Sequence, residues 1–171
     1  MKQTRGFTLL ELIAVVSILA IAAALVLITP FRDYAHGRAA SDAAAMLAQD
    51  LALLERVAQN GGANDGSTLE IISANPLVYE CHYGRPNALD PTSALGPTIV
   101  RRSFDDVALS GGPIDVHTPL LFASNGSAQY VTGGLWVDQH QTIELRLAPL
   151  SDAPRLANVD VNLFTGAISL P

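Results

Sequence analysis

From Leu12 to Ile28 the chain runs for 17 residues with Ser17 as its only polar side chain. A helix rises 1.5 Å per residue, so this run lies near the lower limit for crossing a bilayer core. Leu9 and Leu10 lengthen it. A carboxylate, Glu11, stands at its head. An acid in a membrane-length apolar helix costs roughly 2.5–3.5 kcal/mol on insertion scales, so it is expected to have a cationic partner. Ahead of the run is a short basic leader, Lys2 to Arg5, which ends at Gly6 and is followed by Phe7 and Thr8.

The segment Gly6-Phe7-Thr8-Leu9-Leu10-Glu11-Leu12 resembles the class III signal of type IV pilins and type II secretion pseudopilins. The resemblance implies that a prepilin peptidase cuts between Gly6 and Phe7 and that Phe7 is then N-methylated. It also implies that Glu11 sets register in a filament, opposite the new amine of a neighbouring Phe7. Two other readings compete. An ordinary secretory signal would use Ala22-Ala23-Ala24 as its cut site, but Glu11 serves no purpose at the head of such an apolar region. A plain single-pass anchor accounts for the span but not for the glycine, aromatic and acid at their offsets.

Beyond the span, 171 residues leave room for one modest domain. The net charge is -6; without Lys2 and Arg5 the 10 basic residues fall to 8 against 16 acidic, giving -8. Lys2 is the only lysine. Phosphate contacts need clustered positive charge, so an acidic domain is a poor generic nucleic-acid binder. Some FimT-like minor pilins bind DNA through basic C-terminal residues, but the tail from Asn158 to Pro171 has no arginine. Arg101 and Arg102, with Arg146 and Arg155, are the alternative set for nucleic acid. A solvated strand face is the favoured reading for them.

Thr29-Pro30 is expected to kink or melt the helix, because proline removes one donor and crowds the preceding turn. Pilins that this chain resembles often carry a helix breaker there. After Gly37, Ala40, Ala43, Ala44, Leu47, Leu51, Leu54 and Ala58 fall on one stripe at helical spacing. Ser41, Asp42, Gln49, Asp50, Glu55, Arg56 and Gln59 mostly occupy the other side, and Asn60-Gly61-Gly62 stops the helix. A continuous helix from Phe7 to Gln59 would be ~80 Å long.

From Thr68 onward the pattern is that of strands: Thr68–Ser73, Leu77–Tyr83, Ile99–Phe104, Pro119–Ser124, Ser127–Thr132, Thr142–Leu147, Val159–Leu163 and Ala167–Leu170. Asn125-Gly126 and Thr165-Gly166 mark hairpins. Asn87 to Pro97 reads as a loop, and Gly111-Gly112-Pro113 and Gly133-Gly134 as turns. A helix followed by short antiparallel strands gives an α+β architecture, with the alanine–leucine stripe covering the sheet. It is the pilin-like shape that the resemblance also implies. The expected organisation is a leader at 1–6, a transmembrane and filament-core helix at 7–30, an amphipathic helix at 31–60 and a β-rich domain at 61–171. Phe122-Ala-Ser-Asn-Gly126 and the closing Val161–Ile168 resemble the GspH/FimT group of minor pseudopilins and minor pilins.

No catalytic constellation emerges, and neither a metal nor another cofactor is expected. His36, His82, His117 and His140 lack metal-ligand spacing. Asp138-x-His140 reads as a turn or strand end, and Asp105-Asp106 as solvated charge. Cys81 is the single cysteine, so no internal disulfide can form. Many type IV pilins close a C-terminal loop with one, and the departure favours a pseudopilin or a minor pilin. The expected role is a structural subunit, with the prepilin peptidase, other pilin subunits and the cytoplasmic membrane as partners. The first choice is a minor pseudopilin of type II secretion. The alternatives are a minor pilin for DNA uptake, adhesion or motility and, in another class, an anchored or secreted ligand-binding β-domain.

Overall fold

Alanine and leucine dominate the first third of the chain, and both favour helix. In a computed structural model α1 spans Leu9–Asn60. The structure describes residues 9–61, 66–87, 90, 96–137, 140–150 and 156–171, with backbone alone at 25–37. The chain divides into two compact units, 1–35 and 36–171. In the first unit every described side chain from Leu9 to Ala24 is exposed. Ser17 Oγ hides its polarity by donating to the Ile13 carbonyl at 2.8 Å. Of the expected kink or melt at Thr29-Pro30, the melt does not occur: helix is assigned without interruption through both residues. A proline deletes one donor, and the helical turns on either side keep their own.

In the second unit α1 ends at Asn60, as its Asn-Gly stop requires. Ten strands follow among the described residues. They are β1 (Ser67–Ala74), β2 (Leu77–Tyr83), β3 (Thr98–Phe104), β4 (Val107–Gly111), β5 (Leu120–Phe122), β6 (Ala128–Thr132), β7 (Leu135–Val137), β8 (Thr142–Pro149), β9 (Ala157–Asn162) and β10 (Ile168–Ser169). They form two antiparallel sheets rather than one. The larger has the order β3-β2-β1-β5-β6-β7 and the smaller β10-β9-β8-β4. The pair Asp105-Asp106 is the turn that carries the chain from β3 in one sheet to β4 in the other.

One core joins α1 to both sheets. Leu47, Leu51 and Leu54 on the helix, Leu69, Tyr79 and Phe122 on the larger sheet, and Leu145, Leu147 and Val161 on the smaller belong to the same buried cluster. All seven stripe residues, Ala40 to Ala58, are buried. Small alanines let the sheet approach the helix, and the leucines fill the space between. Along β8, Ile143, Leu145 and Leu147 are buried and alternate with Glu144 and Arg146, which are half-buried and exposed, as a strand with one wet face requires.

The two sheets are tied at one end. Ala128 N–H donates to the Leu163 carbonyl at 2.7 Å across them. The β5–β6 turn is held by Asn125 Oδ1, which accepts from Ser127 N–H at 3.0 Å and Ser127 Oγ at 2.8 Å. The β9–β10 turn uses Asn162 Oδ1 in the same way, accepting from the amides of Phe164 and Thr165. The turns meet at Gly126 and Gly166, both with positive φ. A side chain on Gly166 would collide with the Gly126 carbonyl oxygen. The two segments that carry the GspH/FimT resemblance are therefore neighbours, docked beside Glu55 and Gln59 near the end of α1.

Candidate functional site

Glu11 lies in the first turn of α1 as described, with an exposed side chain, among the exposed Leu9, Leu10, Leu12 and Ile13. Gly6 and Phe7 lie outside the described residues. Among the described residues no helix is long and apolar enough to cross a membrane. The expected span at 7–30 reaches beyond the described side chains at both ends. Residues 9–24 form an apolar, exposed stretch of helix bearing one carboxylate, Glu11, in the first described turn. Large exposed apolar surfaces mark contact with lipid or protein.

In the domain, sequence reasoning placed Asp50 on the polar side of α1, and the structure corrects this. Asp50 is 5% exposed. Arg102 grips it from β3, with Nε at 3.0 Å from Oδ2 and Nη2 at 3.3 Å from Oδ1. Tyr79 Oη donates to Oδ2 at 2.9 Å from β2. Tyr79 and Arg102 are direct cross-strand partners, so one pair on the sheet holds one acid on the helix. Burial, followed by the Asp50 charge, pushes the Tyr79 hydroxyl well above its ordinary range. The Asp50 hydrogen bonds and charge raise Arg102 further. The spacing held the signal: Asp50 is three residues after Leu47 and four before Leu54, which puts it on the buried stripe.

The neighbouring strand positions face the other way. Arg101 Nη1 donates to Glu80 Oε1 at 2.6 Å. Glu80 and Glu70 are direct cross-strand partners on β2 and β1. His82 points its Nε2 at both acids, 3.1 Å from Glu80 and 3.9 Å from Glu70, without hydrogen-bond geometry to either. His117, with φ of +64, sets its Nδ1 3.7 Å from Glu70. Among the described residues no group of three His, Cys, Asp or Glu side chains is arranged to hold a metal ion.

The arginines that sequence grouped together do not form one bare cationic patch. Arg101 is paired with Glu80, Arg102 with Asp50, and Arg146 with Glu144 on the other sheet. Arg155 and Asp138 lie outside the described residues. His140 packs its ring on Phe164, with centroids 4.3 Å apart. Cys81 is fully buried on β2, and burial pushes its thiol up to about 12. That is the small core hydrophobe expected from the sequence.

The family model for the prokaryotic N-terminal methylation motif matches residues 1–27. The chain carries a class III prepilin signal, which supports a type IV pilin-like protein. Its fold is the corresponding α+β arrangement, an N-terminal helix packed on a C-terminal antiparallel β domain. The motif implies processing by prepilin peptidase and assembly with other pilins. No curated protein and no solved structure matches the chain.

Proposed function

We propose that this protein is a minor pseudopilin of a type II secretion pseudopilus, acting near the filament tip in assembly and initiation rather than in catalysis. The observation that carries the reading is the methylation motif at residues 1–27 on an exposed apolar helix with Glu11 in its first described turn. Lys2 and Arg5 keep the leader in the cytoplasm, and the β domain lies outside the inner membrane. After cleavage, the Phe7 amine of one subunit pairs with the Glu11 carboxylate of the next. In low dielectric this removes two costly charges together and fixes register more than it adds stability.

The docked hairpins at Asn125-Gly126 and Thr165-Gly166 support a place in the GspH/FimT group, as does a single buried cysteine in place of a disulfide loop. The ion-paired Arg101 and Arg102 favour secretion over DNA uptake within that group. A clean deletion in the native host tests this. Secreted enzymes are expected to accumulate in the periplasm while twitching and transformation stay at wild-type level. Normal secretion with lost motility or lost DNA uptake would make the protein a minor pilin instead.

A further inference from the structure

We propose that His82, set between Glu70 and Glu80, is a pH-sensitive latch. When the ring takes a second proton, Nε2 donates to Glu80 while Nδ1 keeps its contact with Gly96, and the hold among β1, β2 and the start of β3 tightens. The inference concerns the β domain and goes beyond the filament reading above, on which it does not depend.

The acids come together by register. Glu70 and Glu80 are direct partners across β1 and β2, and Glu80 is in turn the partner of Arg101 on β3. Like charges directly opposite one another on a sheet repel. Arg101 Nη1 takes Glu80 Oε1 at 2.6 Å, which leaves Oε2 for the ring. Two carboxylates therefore share this one permanent cation. His82 lies two residues beyond Glu80 on the same face of β2, and its side chain is 9% exposed. Its Nε2 stands 3.1 Å from Glu80 Oε2 and 3.9 Å from Glu70 Oε2. From the segment before β5, His117 brings its Nδ1 to 3.7 Å from Glu70 Oε1. His117 is exposed, so water screens any charge it carries. The buried ring is the better placed of the two to answer the acid pair.

The other nitrogen of His82 fixes where the neutral ring holds its hydrogen. Nδ1 is 3.3 Å from the Gly96 carbonyl oxygen, which can only accept, so the hydrogen sits on Nδ1. Thr98 Oγ1 is on the same side at 3.4 Å. Nε2 of the neutral ring then aims a lone pair at carboxylate oxygens, and among the described residues it has no hydrogen-bond partner. Buried polar atoms without partners are uncommon and costly. A second proton turns this contact into a charge-assisted N–H···O bond. The proton comes from solvent, and no other covalent bond is made or broken. An isolated buried imidazolium would be costly, but here it balances the second carboxylate. Histidine ordinarily changes charge between about pH 5 and 8. Stability from this contact is present on the acid side of that range and is lost as the pH rises through it.

The test uses the full chain in detergent micelles. Between pH 8 and pH 6 the thermal midpoint of wild type is expected to rise by about 2–4 °C relative to that of His82→Gln, the shift that one charge-assisted hydrogen bond makes in a chain of this size. Glu80→Gln keeps an acceptor without the charge and is expected to lose most of that gain. In wild type, ring-nitrogen spectra are expected to show His82 with one protonated nitrogen at pH 8 and two at pH 6, with the Glu80 carboxyl carbon moving in the same titration. If His82→Gln does not fold, these spectra decide. A gap between wild type and His82→Gln that is the same at both pH values overturns the latch. So does a ring that keeps one charge state throughout, or one that titrates without a response at Glu80.

Discussion

Asp50 shows how a charged residue can sit inside a helix–sheet interface. It is buried but accepts from both Tyr79 and Arg102. Arg102→Ala leaves this acid with one donor, and the expected loss is about 1–3 kcal/mol, toward the lower end because the Arg102 side chain is 44% exposed. Arg101→Ala acts on a 64% exposed partner and is expected to cost under about 1 kcal/mol. Urea unfolding of the two variants beside wild type measures both; equal losses would mean that the Asp50 contact is not the stronger of the two. Cys81 gives a pH prediction. Its folded thiol holds its proton to about 12 against an ordinary value of 9.0. Stability from this group is fully present below about pH 9 and is lost as the pH rises from there through about 12, because only the unfolded thiol ionises in that window. Tyr79, raised in the same direction, adds to the loss at higher pH. Native Cys81 is expected to resist thiol reagents at pH 8 and to react on unfolding; rapid labelling of folded protein would contradict its burial. At this scale Cys81 was legible from its apolar strand, whereas for Asp50 spacing and residue type pointed in opposite directions. Residue type argued for solvent, and the donors that make burial tolerable come from strands at positions 79 and 102.

Among the elements, the helix stripe was the easiest to read, because seven apolar residues at helical spacing have no other use. Leu51→Ala, at a fully buried position, is expected to cost about 2–5 kcal/mol in thermal or urea unfolding. The alternating strands β8 and β9 were legible for the same reason at period two. Two strands were not. β4 is Val-Ala-Leu-Ser-Gly without alternation between Asp105-Asp106 and Gly112, and β7 is three residues after Gly133-Gly134. Such short pieces become strands only when a neighbour supplies the ladder, which is a tertiary fact. The split into two sheets was hidden for the same reason, since it depends on a two-residue crossing at Asp105-Asp106. The hairpin turns were legible from Asn-Gly and Thr-Gly, but their mutual docking was not. Gly166→Ala, which must clear the Gly126 carbonyl, is expected to cost more than Gly133→Ala, whose site is open and meets only the positive-φ penalty of about 1–2 kcal/mol. Equal losses would show that the two turns separate easily.

For the whole molecule, the described side chains of the first unit, residues 9–24, are exposed and largely apolar, and the second unit buries a core of its own. That division suits a subunit whose helix packs among neighbours while its domain folds by itself. The methylation motif at residues 1–27 was legible because it is a local pattern of the sequence, whereas partner choice depends on surfaces that the sequence does not order. Glu11→Val is expected to leave a folded, processed domain that enters filaments poorly; wild-type incorporation would remove Glu11 from the assembly account. Gly6→Val is expected to leave precursor of full length in the membrane. The most direct measurement is intact-mass and N-terminal peptide mass spectrometry of the protein from its native membrane. A chain beginning at N-methyl-Phe7 is the predicted result. A chain beginning at Met1, or at Leu25 after an ordinary signal cut, would contradict it.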